Sequence, residues 1–353
     1  MSIINQISPF ENRTIALGRR RRIACDLWYR HGVSEEKKAT GDRGDHGDRI
    51  MRGLIEGGRA RIVVATATQA VREMALRHQT LGIPAVALGR GALAGLLLAT
   101  LTKDEEQVTL QVLGNGPLAG VTVDARSSGR VRGFVKRPAA VTWDPGLASA
   151  LRLSLGEAIG KQGIVSVTRD LGMAQNYSGQ VALSTGEIDE EVERYLNTSE
   201  QIDSVLRCET LLDSKGSVEA AAGLLVQTLP QAQGAAVLEF LRDTLRGPAL
   251  TSVLRDALAQ DKVNPESIAR AALGQCADGM QVLDERAVTF FCPCTRERAE
   301  ATLGMLSPQD LKEMILETNE AEVTCNFCGQ QYRFSEIELE RIRRKRVKPQ
   351  AQS

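Results

Sequence analysis

Two pairs of cysteines constrain this chain more than any other feature. Cys292-Pro293-Cys294 is followed, thirty residues later, by Cys325-Asn326-Phe327-Cys328-Gly329. Four of the seven cysteines therefore lie within residues 290–334, with no histidine among them. Four sulfurs in two tight pairs are the donor set of a tetrahedral zinc site. Cys325-x-x-Cys328-Gly329 is the stronger half, because a tight turn ending in glycine brings two sulfurs to one ion. In Cys292-Pro293-Cys294 the proline stiffens a hairpin-like presentation of both thiols. Between the pairs, Ser307-Pro308-Gln309-Asp310 reads as a helix start, with Ser307 as cap and Pro308 in the first turn. A helix over residues 308–316 would return the chain so that the two pairs meet. Cys25, Cys208 and Cys276 lack ligand spacing and read as buried or incidental thiols.

Compartment favours metal over a disulfide framework. Met1–Phe10 lacks the basic-then-apolar pattern of a secretory signal, and the longest apolar run, residues 92–98, is too short to cross a bilayer. The expectation is a cytoplasmic protein, whose thiols are kept reduced. Its 44 basic residues balance 44 acidic ones, so charge gives no general attraction to nucleic acid or anionic membrane. Zinc holds sulfur as thiolate, the form that reacts with oxidants. A structural zinc supplies roughly 10–16 kcal/mol of apparent binding free energy, most of it expressed as folding. If the sulfurs oxidised as adjacent pairs, each bond would close a very small loop and restrain the chain little. A Cys-x-Cys disulfide would also be strained and readily reduced. Such a site is suited to a reversible switch, although composition does not exclude a static zinc ribbon.

The rest of the chain shows what is switched. Residues 1–47 contain the basic run Arg19-Arg20-Arg21-Arg22 and a polar segment over 37–48, read as a partly ordered extension with a solvated charge run. Residues 60–67 are β-branched and predict a strand, 68–78 a helix, and 84–101 a buried helix rich in small residues. Strands are expected over 107–113, 119–124 and 131–135, a meander with short turns, and again over 163–169 and 179–183. Gly114, Gly116 and Gly120 do not form a dinucleotide loop, since a strand and not a helix follows them. From 187 to 209, eight acidic and two basic residues lie on a helical pattern, with Thr198-Ser199-Glu200-Gln201 as a capping box. An apolar run at 220–229 and helical stripes at 233–246 and 250–259 follow. Residues 337–348 predict a helix with a basic end.

At this point the chain resembles the heat-shock protein 33 (33 kDa chaperonin) family. The likeness rests on the two cysteine pairs, on LQVLGNGPLAGVTVDARSSGRVRG over 110–133, and on VTRDLGM, NTSEQI and LLVQTLP at 167–173, 197–202 and 224–230. The resemblance implies a redox-regulated, ATP-independent holdase, not an enzyme. Cys292, Cys294, Cys325 and Cys328 would bind one Zn²⁺ per chain in the reduced form. Oxidation by peroxide or hypochlorite, with heat, would form Cys292–Cys294 and Cys325–Cys328 disulfides and release the zinc. The zinc domain and the preceding linker would then loosen, and a homodimer would bind unfolding client proteins under oxidative and heat stress, with no membrane or nucleic-acid partner.

The expected fold is α+β: a mostly antiparallel sheet domain with helices, then a helical linker and a small C-terminal four-cysteine zinc domain. The expected boundaries are 1–47 for an atypical extension, 48–186 for the N-terminal domain, and 187–277 for a helical, apolar linker, part of which can pack on the sheet. A zinc-binding redox-switch domain over 278–335 and a basic tail over 336–353 follow. Two alternatives stay open. One is a static zinc-ribbon nucleic-acid binder using the arginine run and the basic tail. The other is a thiol oxidoreductase, which a four-cysteine cage suits poorly.

Overall fold

The computed structural model describes residues 22–24, 47–102, 106–170, 176–229 and 235–347. Arg19–Arg21 of the basic run, Cys25, the polar segment 37–46, residues 171–175, Pro230 and Lys348 lie outside the described residues. The fold is α+β with antiparallel sheets, as expected. It divides into two compact units: Lys38–Cys292, and Pro293–Ser353 together with a short N-terminal strand, β1 (Arg22–Ala24).

The larger unit opens with β2 (Arg49–Ile55), β3 (Ala60–Thr66), α1 (Thr68–His78) and α2 (Ile83–Ala99). A meander follows, β4 (Gln107–Gly114), β5 (Val121–Arg126) and β6 (Arg130–Val135), then α3 (Gly156–Ile159), β7 (Gly163–Asp170) and β8 (Tyr177–Ala182). Next come α4 (Ile188–Thr198), β9 (Ser204–Leu212), β10 (Val218–Thr228), α5 (Ala235–Thr244), α6 (Ala249–Ala259) and α7 (Pro265–Leu273). Two edge strands, β11 (Gln281–Ala287) and β12 (Thr289–Phe290), end the unit. One sheet has the order β11-β2-β3-β10-β9 and is antiparallel throughout. The other runs β12-β6-β5-β4-β7-β8, antiparallel except for β12, which lies parallel to β6.

Helix α2 organises this unit. It is apolar all round apart from Arg90 and buried along its whole length, as expected of a helix enclosed on every side. It packs against β4, β5 and β6 of one sheet and β3, β9 and β10 of the other. Small residues permit the approach: a Cβ on Gly89 would stand 2.3 Å from Thr210 Oγ1. Arg90 itself is fully buried, and Glu187 and Glu209 flank it at 3.1 and 2.8 Å.

The outer face of the five-stranded sheet has a separate core. Met51, Ile55, Ile62, Val64, Leu224 and Val226 lie beneath Leu238 and Leu241 of α5, Leu250 and Leu254 of α6, and Ile268 and Leu273 of α7. Burial of each such side chain contributes about 1.5–3 kcal/mol. Helix α7 was not foreseen, although Asn264 caps it and Pro265 sits in its first turn.

Two features of the span 187–277 differ from the sequence reading. Residues 204–212 and 218–228 form strands, not part of a helical stretch: β10 is an inner strand between β3 and β9, and β9 is the edge opposite β11. Buried on both faces, β10 carries an unbroken apolar run with no period of two to mark it. Thr198 ends α4 rather than capping a new helix. Its hydroxyl donates back to the Arg194 carbonyl, and Gln201 at φ +56° turns the chain toward β9.

The smaller unit contains α8 (Arg296–Leu303), α9 (Pro308–Thr318), the hairpin β13 (Glu320–Thr324) and β14 (Gln331–Ser335), and α10 (Glu336–Val347). The Ser307–Asp310 capping box forms in both directions, with Pro308 in the first turn. β1 adds to the hairpin parallel to β13. Its core is small: Ala299, Leu303, Leu311, Met314, Ala321, Val323, Phe334, Leu339 and Ile342. A core of that size needs a further staple for stability. Among the described residues, no helix is long and apolar enough to cross a membrane.

Candidate metal centre

The hairpin β13–β14 builds one half of the centre. Between its strands, the Cys325 amide donates to the Gln330 carbonyl at 2.9 Å and the Gly329 amide to the Cys325 carbonyl at 2.8 Å. This tight turn needs a left-handed residue, which Gly329 supplies at φ +70°. Cys325 and Cys328 are thereby presented together, and both are buried.

The other half is formed differently from expectation. Residues 291–295 are irregular and make no hairpin. They run from β12 into α8, which Thr295 caps by accepting from the Arg298 amide. Arg298 Nη1 also holds the Pro293 carbonyl at 2.8 Å. Cys292 and Cys294 are partly exposed.

The four Sγ atoms of Cys292, Cys294, Cys325 and Cys328 lie within 4.8 Å of one another. Cys294 and Cys328 approach to 3.2 Å. Sulfurs around a tetrahedral zinc, each about 2.3 Å from the ion, stand about 3.8 Å apart. The set is therefore positioned to bind a metal ion, and four sulfur donors suit a soft or borderline one.

Two further side chains donate to the sulfurs. Tyr332 Oη donates to Cys294 Sγ at 3.4 Å. Burial, then the hydrogen bond and negative charge of Cys294, raise the Tyr332 pKa well above its usual value, so it stays a donor. Arg132 Nη1 donates to Cys292 Sγ at 3.5 Å while its Nε and Nη2 grip Asp124. Burial by itself would lower the Arg132 pKa, but the charges of Asp124 and Cys292 outweigh it and raise the value. Tyr332 lies four residues beyond Cys328, and proximity in sequence was its sole hint. Arg132 is 160 residues from Cys292 and had none.

Among the described residues, Cys208 and Cys276 are not members of this cluster. Cys208 and Cys276 are buried, and burial first of all pushes both thiols up in pKa, Cys208 strongly. Four cations of α10 share two carboxylates within their own unit. Arg341 and Lys345 pair with Glu300, and Arg343 and Arg344 with Glu340.

Comparison with known proteins identifies relatives of this chain. The model of the Hsp33 protein family matches residues 48–335. The 33 kDa chaperonin of Geobacter sp. (strain M21) is 35% identical over 297 residues, covering 84% of this chain and 96% of that protein. The 33 kDa chaperonin of Desulforamulus reducens is 36% identical over 296 residues, covering 84% and 97%. The crystal structure of the 33 kDa chaperonin (heat shock protein 33 homolog) of Thermotoga maritima superposes with a TM-score of 0.74 at 29% identity, covering 86% of this chain and 99% of that one.

Proposed function

The chain belongs to the Hsp33 family of chaperones, and from that premise we propose that it is a redox-regulated, ATP-independent holdase of the cytoplasm. The observation that carries the reading is the gathering of Cys292, Cys294, Cys325 and Cys328 within 4.8 Å from two segments thirty residues apart. These four would hold one Zn²⁺ in the reduced chain, and zinc when bound keeps the sulfurs as thiolates.

The chain's own residues supply the rest of the switch. Each adjacent pair, Cys292–Cys294 and Cys325–Cys328, would lose two electrons as its S–S bond forms, and one hydrogen peroxide per pair, taking up two protons from solvent, would be reduced to two waters as its O–O bond breaks. The four donors then no longer join distant segments. The small core around Leu311 and Phe334 loses its staple, and residues 278–335 act as the switch domain. Helices α5–α7 lie within 187–277, the span we assign as the linker. Their release would uncover Ile62, Val64, Leu224 and Val226 on the outer sheet face, an apolar surface suited to unfolding clients. Dimerisation of the oxidised form would enlarge that surface. No catalytic step on the client is required.

The test follows zinc release, disulfide mapping and suppression of client aggregation together, in the zinc-loaded chain under peroxide and mild heat. Zinc loss, the two adjacent disulfides and the onset of suppression should rise in parallel. Equal suppression by reduced and oxidised protein, or by neither, would sink the holdase reading.

A further inference from the structure

The six-stranded sheet carries a polar rung that ends on a metal-centre sulfur. Thr109 on β4, Asp124 on β5 and Arg132 on β6 are direct cross-strand partners. Thr109 Oγ1 donates to Asp124 Oδ1 at 2.7 Å. Asp124 Oδ2 accepts from Arg132 Nη2 at 2.7 Å and from Nε at 3.0 Å. Its Nη1 donates to Cys292 Sγ at 3.5 Å. Asp124 and Arg132 are 6% and 8% exposed, so the pair is withdrawn from water and its geometry is held by the sheet.

The residues leading to Cys292 are fastened to the same strand. The Thr289 amide donates to the Gly129 carbonyl and the Phe291 amide to the Val131 carbonyl, both at 3.0 Å. The Arg77 guanidinium lies 4.8 Å from the Phe290 ring centroid and Arg130 lies 4.7 Å from that of Phe291, within cation–π range. Three consecutive residues, Phe290, Phe291 and Cys292, are thus each met by an arginine of the sheet unit.

We propose that Arg132, braced by Asp124 and Thr109, is a positioning residue for the Cys292 sulfur: its N–H···S bond orients that ligand and helps fasten residues 289–292 to β6. The inference rests on the zinc reading of the cluster. This bond is the last of the three grips on residues 290–292. A cross-strand Arg–Asp pair that merely stabilised the sheet would need no third partner.

The experiment titrates Zn²⁺ into the full-length reduced chain against a chromophoric chelator and measures amide exchange at Thr289 and Phe291 with and without Zn²⁺. The wild type, Arg132→Gln, Arg132→Lys and Thr109→Val are compared. Support in the ligand's outer shell is typically worth a 10–100-fold change in metal affinity, so Arg132→Gln should weaken zinc binding by roughly that factor. It should also remove the zinc-dependent protection at Phe291. Arg132→Lys, which keeps the charge but cannot grip Asp124 and Cys292 together, should fall between. Thr109→Val, which loosens the brace without touching the sulfur, should show a smaller loss and stands in if Arg132→Gln does not fold. Unchanged zinc affinity and unchanged exchange in the folded variants, beside a wild type that binds zinc, would overturn the role of Arg132 alone. A wild type that binds no zinc would instead overturn the metal reading on which it rests.

Discussion

At the residue scale, the cysteine centre and the buried charges respond to different conditions. The Tyr332 hydroxyl is one donor to one sulfur, and a hydrogen bond of this kind contributes about 0.5–1.5 kcal/mol net. Tyr332→Phe should therefore weaken zinc by no more than about tenfold and leave the fold intact, as read by chelator competition and circular dichroism. Asp189 illustrates the second class. Burial by itself would raise its pKa, but the charges of Arg152, Arg90 and Arg207 outweigh that and hold it lowered. The Asp189–Arg152 pair, at 2.7 Å, thus contributes stability that is present above the ordinary aspartate pKa of about 3.9 and is lost as pH falls through the lowered folded value. Thermal melts below about pH 4 should show that loss, and Asp189→Asn should flatten the acid limb while lowering stability at neutral pH. A variant whose acid limb matches the wild type would contradict the assignment.

At the element scale, α6 joins two kinds of interaction. Its apolar stripe, Leu250 and Leu254, sits on the outer sheet core, and its Thr251 Oγ1 donates to Glu209 Oε2 at 2.5 Å, inside the buried network around Arg90. Leu254→Ala should cost about 2–5 kcal/mol through the cavity it leaves. Because α6 covers apolar strands, the reduced variant should bind an apolar fluorescent dye that the wild type does not. Thr251→Val should cost about 1–3 kcal/mol by leaving a buried carboxylate oxygen short of a donor. Limited proteolysis within α5–α7 checks both, and cleavage at the wild-type rate would show that these contacts do not hold the helices down. The sequence displayed the stripes of α5 and α6 plainly through their period. It did not display what they cover, because β10 lacks the alternation that distinguishes a strand.

At the scale of the molecule, the two units differ in how they are stabilised. The larger one has two extensive apolar cores that include none of the four clustered cysteines. Among the described residues, the smaller one has a core of nine buried hydrophobic side chains besides its sulfur turn. Removing zinc with a chelator should therefore melt helices α8 and α9 while amide protection in β3 and β10 persists. Hydrogen exchange followed by mass spectrometry separates the two responses. Simultaneous loss of protection in both units would show that the metal supports the whole chain.

The sequence by itself determined the donor set, because ligand chemistry is a matter of residue type and spacing, and Cys292, Cys294, Cys325 and Cys328 declare both locally. It also determined α1, the β4–β6 meander and the Ser307 cap, all products of short-range periodicity and turn chemistry. Tertiary structure alone decided the rest. The strand identity of β9 and β10, the burial of the outer sheet face under α5–α7 and the meeting of Arg132 with Cys292 are contacts between residues far apart in the chain. Such contacts leave no mark on the local pattern. An apolar run buried on both faces looks the same whether it becomes strand or helix, and an arginine carries no record of which sulfur the sheet will bring to it.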